Sequence, residues 1–170
     1  MGPRRKAREC ALQILFQVEF NPADPPTLIR RYWEGQKISA AVREYAGWLV
    51  ETTLARRAEI DAAIQAASEN WRLARMGVVD RNILRIAACE MLYEPALAPA
   101  IVINEAIEIA KRYGGQESAT FVNGILDAVR KRAEPAGAAR AGKAQEGQHE
   151  QDRGHPGKRT GTRPARRAGN

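Results

Sequence analysis

The sequence predicts an all-α protein of about seven helices. Three observations carry this. Apolar residues recur at i, i+3, i+4 and i+7 through most of residues 3–132, prolines and paired glycines fall between those stretches, and no run alternates apolar with polar residues as a half-buried strand does. The chain has 170 residues, 44% of them apolar, which is enough for one domain with a real core. The region 134–170 has no Val, Ile, Leu, Met or aromatic residue. It has nothing to bury and is expected to be a disordered, basic tail behind a folded domain at 1–133.

Pro3 suits the first position of a helix, and Ala7, Cys10, Ala11, Ile14, Leu15 and Val18 give that helix one apolar stripe. Asn21-Pro22 and Pro25-Pro26 are expected to end it and form a loop. A short amphipathic segment at 27–33 offers Leu28, Ile29, Tyr32 and Trp33. Ser39 is a candidate N-cap for a helix built on Val42, Tyr45, Ala46, Leu49, Val50 and Leu54. Ile60, Ala63, Ile64 and Ala67 continue the pattern, after a bend or in a separate helix, until Asn70-Trp71 interrupts it.

The segment VDRNILRIAACEML at 79–92 is apolar over more than half its circumference, so it is expected at the centre with other helices on both sides. Asp80 suits its start and Pro95 its end. Pro99 opens the next helix, in which Glu108 and Arg112 are spaced for an i, i+4 pair, and Gly114-Gly115 stops it. The last helix is expected over 118–132. Gly124 inside it suggests a close approach by another helix.

Net charge is +7, with 8 basic and 4 acidic residues from Ala133 onward. The remainder is nearly balanced, so any nucleic-acid footprint must be local. No run reaches the ~18 apolar residues of a membrane span, and the start of the chain lacks the apolar core of a secretory signal, which makes the cytoplasm the expected compartment. Cys10 and Cys89 lie on apolar faces without metal spacing, and both histidines, His149 and His155, fall in the tail. Glu90, Glu105 and Glu108 have no histidine at ligand spacing, and no glycine-rich phosphate loop is present. No catalytic constellation, metal site or cofactor is therefore expected.

The informative feature is the first turn of the first helix, which carries Arg4, Arg5, Lys6 and Arg8. Cations there oppose the helix dipole at ~0.3–1 kcal/mol each when exposed. The same turn has unpaired backbone N–H groups, so a polyanion bound there reverses the balance. Leu12 and Phe16 lie off the main stripe, on the side of Arg5 and Arg8, where they either pack against a neighbouring helix or form a partner-binding spot.

RRKARECALQILFQVEF at 4–20, NW at 70–71, VDRNILRIAACEML, VINEAIEIAKRYG at 102–114 and FVNGILDAV at 121–129 resemble, in order and spacing, the NusB family of bacterial transcription antitermination factors. The resemblance implies two small helical bundles packed at an angle. It also implies a non-catalytic adaptor that binds single-stranded boxA RNA of ribosomal transcripts together with NusE, a small-subunit ribosomal protein, and so acts indirectly on RNA polymerase with other Nus factors. Carried over by position, Arg4, Arg5, Lys6, Arg8, Glu117, Ser118 and Phe121 would meet RNA. Phe16 and Asp80, with Leu12 and Leu84 beside them, would meet NusE. Two alternatives stand beside this reading. One is an RNA-binding domain related to the N-terminal part of ribosomal RNA cytosine methyltransferases; the other is a self-associating helical protein whose homodimer masks the RNA site.

Overall fold

The computed structural model describes residues 2–133; the expected tail at 134–170 lies outside the described residues. Among the described residues there are seven α-helices and no strand. They are α1 (Pro3–Phe20), α2 (Pro25–Trp33), α3 (Ala40–Ala55), α4 (Arg57–Ala67), α5 (Val78–Tyr93), α6 (Pro99–Tyr113) and α7 (Ser118–Ala133), with a single 3₁₀ turn at Leu73–Arg75 before α5.

The helix starts follow local chemistry. Pro3 opens α1 and Pro99 opens α6. The Ser39 hydroxyl accepts from the Val42 N–H, as a Ser N-cap does. Pro25 and Pro26 form the first turn of α2 rather than a loop: Asp24 caps them by accepting from Thr27 N–H, and a missing N–H costs nothing in a first turn. Arg56 ends α3 and begins α4, so the two are separate helices with no intervening loop.

The α1–α3 helices pack together as one bundle and α4–α7 as a second, while α5 touches α1, α3, α4, α6 and α7. Ile83, Leu84, Ile86, Ala87, Ala88 and Cys89 are all buried, so α5 is the central element its composition predicts. It also buries three polar residues, Asn82, Arg85 and Glu90, each of which needs a partner. Arg85 makes a bidentate bond to Asp61 of α4 at 2.7 and 2.9 Å and reaches Glu19 of α1 at 2.6 Å. Cys10 and Cys89 are free and buried, and burial pushes the Cys89 thiol up to about 11, which leaves it protonated and unreactive at neutral pH.

Two expectations fail on geometry. Glu108 pairs with Lys111 at 2.7 Å and Arg112 crosses to Glu9 of α1 at 2.8 Å, because a buried carboxylate outbids an exposed one. Gly124 is exposed, and a Cβ there would meet nothing within 4 Å, so no helix approaches it. The crowded glycine is Gly114, at φ −89°, where a Cβ would run into the Ser118 side chain and the Ala110 carbonyl oxygen at 2.7 Å. Its requirement is space rather than a left-handed backbone. Gly124→Ala is therefore expected to stabilise the fold by about 0.5–1 kcal/mol and Gly114→Ala to destabilise it by about 1–3 kcal/mol. Urea unfolding of the two variants checks both signs.

Candidate nucleic-acid interface

Gly2 and Pro3 leave the start of α1 without a side-chain cap or an acidic residue in the first turn. The four cations of that turn meet different fates. Arg8 is buried, with 3% of its surface exposed, and its Nε donates to both oxygens of Glu90, which is 1% exposed; Nη2 lies 2.9 Å from the same carboxylate. Tyr45 of α3 donates its hydroxyl to Glu90 at 2.5 Å. Burial first, and that bond second, push the Tyr45 phenol well above its usual range. Arg5 is bidentate on Glu105 of α6, at 2.9 and 2.7 Å, and Arg8 Nη1 reaches the same carboxylate at 3.4 Å. The bond from Arg5 holds the Glu105 carboxyl below its ordinary value near 4.5, against a smaller opposing effect of burial.

Arg4 and Lys6 are exposed, and among the described residues neither has a carboxylate partner. Arg4 lies over the Tyr45 ring, 4.2 Å from its centroid, and Tyr45 stacks on Trp48 at 5.5 Å. The expected cationic cluster is thus divided. Two members face solvent, one is half-buried in an ion pair, and Arg8 belongs to the core. Arg8 thus differs from its expected place at the surface: it is paired with Glu90 in the interior.

At the start of α7, Glu117 is exposed, whereas Ser118 is buried. The Ser118 hydroxyl accepts from the Gly115 N–H at 2.8 Å, so it closes the turn between α6 and α7 instead of facing a ligand. Phe121 is half-buried, its ring edge-on to Trp71 at 5.9 Å, and Trp71 itself is 58% exposed. Periodicity did not single out Trp71 as a surface residue, since it lies outside every helix.

The far end of α1 carries a second feature. Phe16 and Phe20, 42% and 66% exposed, pack on each other at 5.0 Å. Phe20 follows Phe16 by four residues, a spacing that puts both on one face. Asp80, in the first turn of α5, is half-buried with its Oδ1 unpaired. Leu12 and Leu84 are buried in the core, at 3% and 0% exposure, and contribute no surface to a partner. Glu9 and Glu90, the buried carboxylates that organise this end, were not read from the sequence as a site. Their signal was an acid on an otherwise apolar helical face, which requires a cation from elsewhere.

Among the described residues no group of three or more His, Cys, Asp and Glu side chains is placed to hold a metal ion. No described helix is long and apolar enough to cross a membrane.

The model of the NusB family matches residues 5–131. The transcription antitermination protein NusB of Sorangium cellulosum is 43% identical over 129 residues, spanning 76% of this chain and 92% of its own length. That of Trichlorobacter lovleyi is 46% identical over 127 residues, spanning 75% and 89%. A structure of T. maritima NusB superposes with a TM-score of 0.72 at 38% identity, covering 79% of this chain and 95% of its own. A complex of the antitermination factors NusB and NusE with double-stranded RNA gives 0.70 at 29% identity, covering 78% and 98%.

Two outcomes follow from the ion pairs. Arg8→Ala strands Glu90 in the core and is expected to cost about 3–5 kcal/mol in urea unfolding. The depressed Glu105 carboxyl contributes stability that is present above its unfolded value near 4.5 and lost as pH falls through its lower folded value. Glu105→Gln should therefore show a shallower loss of stability with acid below pH 4.5, measured by thermal melts across that range.

Proposed function

The chain belongs to the NusB family, and on that premise we propose that it is a transcription antitermination factor, a non-catalytic cytoplasmic adaptor that joins RNA to a protein partner. The observation that carries this is the division of labour along α1. One end is an uncapped helix start with Arg4 and Lys6 outward, and the other is an exposed aromatic pair, Phe16 and Phe20. A single rigid helix of 18 residues thereby presents two unlike surfaces about 20 Å apart along its axis at ~1.5 Å per residue.

The RNA is single-stranded and boxA-like. Arg4 and Lys6 bind phosphate directly, Arg5 by exchanging Glu105 for phosphate, and Glu117 and Phe121 border the same strand at the start of α7. Phe121 stacks on a base with its exposed part. The protein partner is NusE, docked over Phe16 and Phe20 with Asp80 at the edge; RNA polymerase and the other Nus factors are engaged through that assembly. The relatives named above align over about nine-tenths of their own length, which favours an adaptor over the RNA-binding half of a methyltransferase.

Glu105 has a defined part in this reading. It neutralises Arg5 before any RNA arrives, so every RNA contact by Arg5 first breaks a bidentate pair. Filter-binding titrations with NusE present should show tighter binding to boxA RNA than to a scrambled strand, and equal affinity would overturn the assignment. In the same assay Arg4→Ala with Lys6→Ala should weaken binding and reduce the salt slope by about two counterions, whereas Glu105→Gln should tighten binding and steepen it.

A further inference from the structure

The only cation of the α1 start that is fixed against another side chain without being neutralised is Arg4, among the described residues, and it points into a groove. The groove runs between the start of α1 and α3, has a volume of about 440 Å³, and is lined by Pro3, Arg4, Glu44, Tyr45, Trp48 and Glu94. That volume lies within the range of small-ligand sites.

Its chemistry is specific. Tyr45 turns its hydroxyl inward to the buried Glu90, which fixes the ring; the ring stacks on Trp48 with planes 19° apart. A guanidinium and two aromatic rings therefore form one preset stack, in which Tyr45 is covered by Arg4 and Trp48 stays half-buried at the groove. Neither Glu44 nor Glu94 is in an ion pair or a side-chain hydrogen bond among the described residues, so two carboxylates with open acceptor positions flank that surface. The carboxylates repel a phosphate held inside the groove. Arg4 already occupies the Tyr45 ring as its cation, which disfavours a second cation there. A flat, neutral, aromatic ligand with N–H donors at its edge fits all of these constraints, and its phosphate lies outside, toward Arg4 and Lys6.

We propose that the groove between α1 and α3 is a nucleobase subsite. One base of the bound RNA strand, carrying an exocyclic amino group, stacks on the open part of Trp48 at the end of the Arg4–Tyr45–Trp48 stack and donates its amino hydrogens to Glu44 or Glu94. The subsite favours adenine, cytosine or guanine over uracil, whose single edge donor, N3–H, sits between two carbonyl oxygens that the carboxylates repel. This extends the strand beyond the start of α1 on the side away from Glu105. It rests on the RNA-binding reading above.

The test uses the full chain and a short single-stranded boxA-like RNA with 2-aminopurine placed at successive positions. One position should lose fluorescence on binding through stacking, and that loss should disappear in Trp48→Leu. Affinity should fall about 5-fold or more for Trp48→Leu, the scale of one lost stacked base, with the salt slope unchanged because no phosphate contact is removed. Trp48→Phe should retain most of the affinity. Uracil at the sensitive position should bind more weakly, and Glu44→Gln with Glu94→Gln should narrow that difference. Trp48 also packs against the core, so each variant is first melted; if Trp48→Leu does not fold, quenching in the parent and the behaviour of Trp48→Phe decide. A folded Trp48→Leu with parental affinity, or no quenched position, overturns the subsite while RNA binding by the parent leaves the antitermination reading standing. A parent chain that binds no RNA overturns both.

Discussion

The buried pair between Arg8 and Glu90 holds the functional end of this molecule together. It ties α1 to the central helix α5, and its satellites bring in α3 through Tyr45 and α6 through Glu105. A lone carboxylate at 1% exposure is untenable in an apolar core. Arg8 and Tyr45 make it tenable, and in doing so they fix where α1 enters the fold. Everything offered to a ligand at that end, from Arg4 to the aromatic groove, takes its position from this one constraint.

The same constraint sorts the cations. Four positive side chains at a helix start oppose the dipole, and the fold removes that conflict for two of them by supplying Glu90 and Glu105. Arg8 becomes structural, and Arg5 is held in an exchangeable pair. Arg4 and Lys6 remain exposed, with no carboxylate partner among the described residues. The electrostatic footprint is consequently smaller than the sequence run suggests, and in the proposed reading RNA competes with Glu105 for the Arg5 guanidinium.

The opposite end of α1 is built by a parallel device. Glu19 sits beside Phe20 and meets Arg57, Arg81 and Arg85, with Asp61 completing the cluster. This network fastens α1 to α4 and α5 while Phe16 and Phe20 stay outside the core. An adaptor needs two surfaces at a set separation. Two ion-pair networks anchoring one helix at either end provide that, since each charge is satisfied only in one arrangement of the helices.

The helices and the central place of α5 are legible from residue order, because helical periodicity, proline starts and glycine stops act within a few residues of one another. The spacing of Ala7 to Val18 needs no knowledge of the fold, and the family motifs at 102–114 and 121–129 are equally local. Tertiary structure alone decided which of Arg4, Arg5, Lys6 and Arg8 face outward, since their partners lie 82 to 100 residues away. It likewise moved Leu12 and Ser118 into the interior, left Phe20 and Trp71 at the surface, and put the crowding at Gly114 instead of Gly124. Burial and charge pairing depend on what the rest of the chain brings alongside, and no local pattern records that.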